Sequence, residues 1–168
     1  MEQEPARPVS EGGVVTEDAA AFRGALPDGG ALLGLDLGTR TIGTAFCDAG
    51  WSFATAGKTL PRGKFARDRA AIETLCAHRR VRGIVIGLPL NMDGSAGPRA
   101  QASRAFARNI AVTGLPVLLW DERWSTTAAE RDMIATDTSR RKRAKRIDSH
   151  AAAIILQGAI DRLAGGLF

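Results

Sequence analysis

Ala31-Leu32-Leu33-Gly34-Leu35-Asp36-Leu37 and Thr41-Ile42-Gly43-Thr44-Ala45-Phe46-Cys47 stand on either side of Gly38-Thr39-Arg40. Short apolar runs closed by turn residues read as buried strands. The polar connection between them suits a hairpin, so the stretch predicts two paired strands of a central sheet. Asp36 falls near the end of the first run. A buried carboxylate is costly unless a basic partner or a divalent cation offsets its charge, and that cost makes Asp36 the first candidate for chemistry.

Outward from this pair, a third strand is expected around Phe53 to Leu60. Phe65, Ile72, Leu75 and Cys76 recur at helical spacing and predict an amphipathic helix that stops near Gly83. Ile84-Val85-Ile86 reads as a buried strand that runs into a rim loop, Gly87 to Ser95. A helix from Pro98 places Ala102, Ala105, Phe106 and Ile110 on one face before Gly114 and Pro116 end it. Val117 to Trp120 is the next strand, Thr127 and Glu130 suit the cap of a helix after Ser125, and Ile147 to Leu163 is the last helix. Together these predict an α/β fold with a five-stranded mixed sheet, a three-strand meander followed by parallel strands, flanked by helices. Sites on such sheets lie beyond the carboxyl ends of the strands. Asp36, the loop after Ile86 and Glu122 therefore share one rim.

The chain has 168 residues, 45% of them hydrophobic, and a net charge of +5, which suits a single globular domain. Residues 1–28 hold six acids and only Arg7 and Arg23 as bases. They read as a disordered acidic tail, leaving 29–168 as the folded domain. That remainder has 21 basic and 12 acidic residues, about +9, a charge that favours a polyanionic partner. Met1-Glu2-Gln3-Glu4-Pro5 has neither the basic start nor the apolar stretch of a secretory signal, and no apolar segment reaches membrane-spanning length. A cytoplasmic protein without membrane attachment is expected. Cys47 and Cys76 lack metal-site spacing and read as reduced structural thiols.

Two further acids join Asp36. Positions 4, 7, 11 and 15 after Asp148 are Ala152, Ile155, Ala159 and Leu163, an apolar stripe that must face the interior. Asp148 tops that stripe and is expected to project toward the sheet; the alternative is an acid serving the helix start. At the end of the fifth strand, alternation puts Asp121 and Glu122 on opposite sides, and Glu122 is taken as the one facing Asp36, partly on the resemblance given below. Carboxylates converging on one rim suit magnesium, a hard ion that prefers oxygen ligands. Two such ions activate water and stabilise the leaving oxygen in phosphodiester hydrolysis. His78 reads as solvated surface, and His150 is turned away from Asp148 by helical rotation. Asn91 and Ser95 of the rim loop are candidate phosphate donors. Arg140, Arg141, Lys142, Arg143, Lys145 and Arg146 crowd seven positions before the last helix and read as a nucleic-acid-binding segment. Trp124 suits either stacking on an unpaired base or anchoring a helix start.

Leu35-Asp36-Leu37-Gly38-Thr39-Arg40-Thr41-Ile42-Gly43, Ile86-Gly87-Leu88-Pro89-Leu90-Asn91-Met92-Asp93-Gly94, Asp121-Glu122-Arg123 with Ser125-Thr126, and Ile147-Asp148 leading to Ile154-Ile155-Leu156 together resemble the YqgF family, over nearly everything from Leu32 to Leu163. The resemblance implies a ribonuclease H-like fold. It also implies a nuclease for the 5′ end of precursor 16S ribosomal RNA, a family also described as resolvase-like toward Holliday junctions; the expected cofactor is magnesium or manganese. The family's acidic site falls on Asp36, Glu122 and Asp148, with Arg123 placed among the nucleic-acid contacts. A fourth carboxylate, Asp93 or Asp121, is open. The partner is then structured RNA or branched DNA, bound by a monomer or a weak homodimer. A non-catalytic RNA-binding assembly or transcription factor is the alternative. A nucleotide phosphotransferase is disfavoured by size and by the lack of GxxxxGK[ST].

Overall fold

The computed structural model describes residues 13–124 and 140–165, the side chains of residues 140–148 excepted. Strands β1 (Val15–Thr16), β2 (Ala31–Leu37), β3 (Thr41–Cys47), β4 (Ala54–Ala56), β5 (Leu60–Pro61), β6 (Val81–Leu88) and β7 (Val117–Asp121) form one sheet. Its order is β1-β7-β6-β2-β3-β4, with β5 also paired to β3. β2, β3 and β4 are the antiparallel meander, while β6 and β7 run parallel to β2. Helices α1 (Ala19–Gly24), α2 (Phe65–Arg79), α3 (Pro98–Ile110) and α4 (Arg140–Gly165) cover it. Among the described residues, no helix is long and apolar enough to cross a membrane.

The mixed sheet, meander and parallel strands agree with the sequence reading, but seven strands replace five. The expected third strand splits because Thr44 captures the chain in its middle. The Gly57 amide donates to the Thr44 carbonyl at 2.7 Å, and the Thr44 hydroxyl donates to the Lys58 carbonyl. The flanking residues therefore pair with β3 as two short pieces. Helix α2 ends at Arg79 rather than near Gly83, because Arg80 takes a left-handed conformation and β6 begins at once.

The acidic tail needs the larger correction. Residues 15–24 are structured: β1 pairs parallel with β7 through Val15 and Val117. Asp18 caps α1 by accepting from the Ala20 amide at 3.0 Å. Phe22 of α1 is wholly buried against the same apolar layer as Leu26 and Leu32. One phenylalanine and an edge strand supply apolar area that an acid count cannot register. The first 12 residues lie outside the described part.

Alternation along the strands sorts two cores. Leu33, Leu35, Ile84 and Ile86 face α2 and α3, whereas Leu32, Val85 and Leu118 face α1 and α4. The interior stripe of α4 is as expected: Ala152, Ile155, Ala159 and Leu163 are all fully buried. Gly34 makes this packing possible. A Cβ there would sit 2.8 Å from the Leu156 Cβ and 3.1 Å from the Ala152 carbonyl oxygen. The direction of α4 follows from its contacts with the third strand of the meander. Gln157 accepts from the Ala54 amide at 2.9 Å, and the Ser149 hydroxyl meets that of Thr59 at 2.6 Å. The helix thus runs against β2 and β4, which brings its amino-terminal half to the rim where β2 and β6 end.

Candidate functional site

Asp36 is 3% exposed on β2. It shares the α4 face with Gly34 and Leu32, two and four residues earlier. Across the β2–β3 pair its partner is Gly43. On the other side, β2 and β6 are in register as far as Leu35 and Ile86, so the next residue of β6 beside Asp36 is Gly87. Glycines thus stand directly opposite Asp36 on both adjoining strands.

Glu122 opens a 3-10 turn directly after β7. A Cβ on Gly87 would lie 3.2 Å from the Glu122 Cδ and Oε1, and 2.6 Å from the Ile155 Cδ1. The Glu122 carboxyl therefore folds back over Gly87 on the α4 face, in space that any other residue would occupy. Neighbouring strands are about 4.8 Å apart, and Gly87 is the residue on β6 beside Asp36. Asp36 at the end of β2 and the Glu122 carboxyl, reaching from the end of β7 over the intervening β6, therefore lie on the same face of the sheet. Asp148 belongs to α4 one turn before Ala152, but its side chain lies outside the described residues.

Asp121 takes a different part. Arg123 donates to it through Nε at 3.1 Å and through Nη2 at 2.7 Å, and the Arg123 amide donates at 2.9 Å. Burial opposes ionisation of Asp121, yet the hydrogen bonds from Arg123 and from Trp124 hold its carboxyl below the ordinary aspartate range. In turn, Asp121 raises the Arg123 guanidinium above its usual value. Arg123 also donates to the Met92 carbonyl at 3.2 Å, tying the end of β7 to the rim loop.

Within that loop, Asn91 donates to the Ser95 hydroxyl at 2.9 Å, and Ser95 donates to Asp93 through its hydroxyl at 2.6 Å and its amide at 2.9 Å. The Ser95 hydroxyl and amide, with Arg123 nearby, hold the Asp93 carboxyl below its usual range. Asn91, Ser95 and Arg123 were expected to meet phosphate; here each has an intramolecular role that shapes the loop. All three remain at the surface. Trp124 is 74% exposed, which leaves its ring available for stacking.

The basic run Arg140 to Arg146 is part of α4 rather than a stretch before it; its side chains, and the expected Thr127–Glu130 cap, lie outside the described residues. His78 is exposed, and Cys47 and Cys76 are buried free thiols, as the sequence implied. Sequence reasoning missed Gly34 and Gly87 as the residues that admit α4 and the Glu122 carboxyl. Glycine inside a buried strand is the available signal, since it often marks close approach of another group.

Two carboxylates of this kind form a hard-oxygen donor pair that suits magnesium or manganese. Among the described residues, no group of three or more His, Cys, Asp or Glu is arranged to hold an ion. A complete ligand set therefore requires Asp148 or oxygens of a substrate.

Residues 30–162 match the family model described as "RuvX: Holliday junction resolvase". A protein of Novosphingobium aromaticivorans named "Putative pre-16S rRNA nuclease" is 64% identical over 155 residues, covering 92% of this chain and 100% of that relative. One of the same name from Sphingopyxis alaskensis is 63% identical over 150 residues, covering 89% and 99%. Among solved structures, RuvC of Thermus thermophilus in complex with a Holliday junction substrate aligns with a TM-score of 0.52 at 12% identity, covering 82% of this chain and 97% of that one. That likeness supports the ribonuclease H-like arrangement of the sheet. With four motifs, the family model and these relatives in agreement, the chain belongs to the RuvX (YqgF) family.

Proposed function

We propose that this protein is a cytoplasmic, divalent-metal-dependent nuclease that hydrolyses phosphodiester bonds at the 5′ end of precursor 16S ribosomal RNA. One observation carries the reading: Asp36 on β2 and the Glu122 carboxyl, which reaches from the end of β7 over Gly87 of the intervening β6, lie on the same face of the sheet, with glycine in place of the β6 side chain that would stand between them. The names of the high-identity relatives support the RNA substrate.

Asp36, Glu122 and Asp148 would hold magnesium or manganese, which supplies an activated water and charge stabilisation for the leaving oxygen. Asp36 is the fixed point, since it extends from a central strand paired on both sides. Glu122 sits on a short turn beside the Asp121–Arg123 pair, and its carboxyl and Ile155 both approach Gly87. The basic residues Arg140 to Arg146 supply counter-charge for the nucleic-acid backbone. Asn91, Ser95 and Arg123 shape the loop that borders the site.

The test is cleavage of an RNA carrying the precursor 5′ leader by wild type and by Asp36→Asn, with magnesium and with chelator. Cleavage is expected from wild type with metal only, while Asp36→Asn binds the RNA and leaves it intact. Equal cleavage by the two proteins overturns the assignment. A four-way DNA junction cut in preference to the RNA would favour the resolvase activity in the family model's description.

A further inference from the structure

On the opposite face of the same rim, a cavity of about 180 Å³ opens between the β2–β3 turn and the start of α3. Leu37, Gly38, Thr39, Arg62, Arg99 and Ala102 are among its walls. We propose that this cavity is a phosphate subsite, which holds a backbone phosphate of the nucleic acid on the face turned away from the carboxylates. The proposal rests on the nuclease reading and adds a second point of contact to it.

Arg62 is fixed in place. It donates to the Gly38 carbonyl, and its guanidinium lies 5.9 Å from the centre of the Phe106 ring. Phe106 in turn meets Phe65 edge-on at 5.3 Å. A guanidinium held this way brings its remaining donors to a ligand at small entropic cost. Arg99 is exposed on the first turn of α3 and enters none of the ion pairs formed among the described residues.

The local backbone adds to these two charges. α3 has no capping side chain and no acid in its first turn, and Pro98 and Arg99 of that turn line the cavity, so the positive end of the helix dipole is close to it. Asp68 is an acid of the neighbouring helix, and it is buried and accepts from the Gly63 amide at 3.0 Å. Thr39 contributes an exposed hydroxyl. The cavity begins at Leu37, directly after Asp36 on the strand, so Gly38 lies only about 7 Å further along the chain than Asp36. A strand whose scissile phosphate sits at Asp36 would cross the rim with a neighbouring phosphate near Arg62 and Arg99.

The test uses Asp36→Asn as the parent, so that RNA stays intact while its binding is measured against salt. A single-stranded RNA and a DNA of the same sequence serve as probes. Adding Arg99→Gln should lower the magnitude of the log–log salt slope by about 0.7 and weaken binding about fivefold at 0.1 M salt, for both probes. Ala102→Glu, which places a carboxylate in the cavity, should weaken binding further. Arg108→Gln removes the same charge at the far end of α3 and should leave the slope unchanged. Equal slopes for the parent, Arg99→Gln and Ala102→Glu overturn the subsite. So does an equal drop for Arg99→Gln and Arg108→Gln, which would report net charge alone. Neither result bears on cleavage by the wild type, so failure here is separable from failure of the nuclease assignment.

Discussion

Where β2 and β6 end, the face toward α4 carries Asp36 and the Glu122 carboxyl over Gly87, whereas the face toward α3 carries Arg62 against Phe106, with Arg99 lining the same cavity. The acidic face is made by subtraction: Gly34 admits α4, and Gly87 admits a carboxylate. The basic face is made by addition, because the Phe65–Phe106 pair provides a platform for a guanidinium. Opposite charges thus lie on two sides of one sheet end, which separates the carboxylates proposed to hold metal from the arginines proposed to meet phosphate. Each face also holds one buried thiol, Cys47 of β3 toward α4 and Cys76 of α2 toward the sheet.

Breaking the packing of the acidic face has the largest expected effect. Phe22→Ala should cost about 3–5 kcal/mol of folding stability, as for other large-to-small core changes, measured by urea denaturation. A loss under about 1 kcal/mol would return residues 13–28 to the status of a loose tail. Gly87→Ala comes next. Its methyl group would overlap Ile155 and press on Glu122, so cleavage should fall about a hundredfold through misplacement of the carboxyl, with RNA binding retained. Unchanged cleavage would mean that Glu122 does not act from this position.

The thiols sharpen the comparison further. Burial pushes both Cys47 and Cys76 up to about 11 from an ordinary 9.0. Below about pH 9 the thiols are protonated in the folded and the unfolded chain alike. Between 9 and about 11 only the unfolded chain releases the proton, so stability should decline across that window. At pH 8 both thiols should resist alkylation. In Phe22→Ala, Cys47 should become reactive before Cys76, and the reverse order would contradict the division into two cores. The smallest effect belongs to Arg123→Gln. It frees Asp121 and the Met92 carbonyl, so the Asp121 carboxyl should titrate closer to its ordinary value, read by carbon-detected NMR. An unshifted titration would mean that Arg123 does not set the ionisation of Asp121.

Much of this was legible in residue order. The run Ala31 to Cys47 announces the hairpin because its strands are apolar on both faces and its turn is polar. The α4 stripe announces which side of that helix is inside. Asp36 was readable for the same reason: a carboxylate in such a run has no cheap alternative. The choice of Glu122 over Asp121 was harder, since alternation separates them without saying which faces the site. Residue order also could not show that Arg123 engages Asp121. Arg62 and Arg99 were invisible, because 37 residues separate them and only the approach of α3 to the β2–β3 turn unites them. The strand at Val15 is too short for any periodic signal, and its stability comes from pairing with β7.

The central claim is that Asp36 and Glu122 serve one metal site. Its most direct measurement is manganese binding followed by electron paramagnetic resonance, on wild type, Asp36→Asn and Glu122→Gln in the presence of a non-cleavable RNA. Wild type should immobilise manganese, and each single substitution should abolish or greatly weaken that signal while leaving RNA bound. Full manganese binding by both variants would contradict the account.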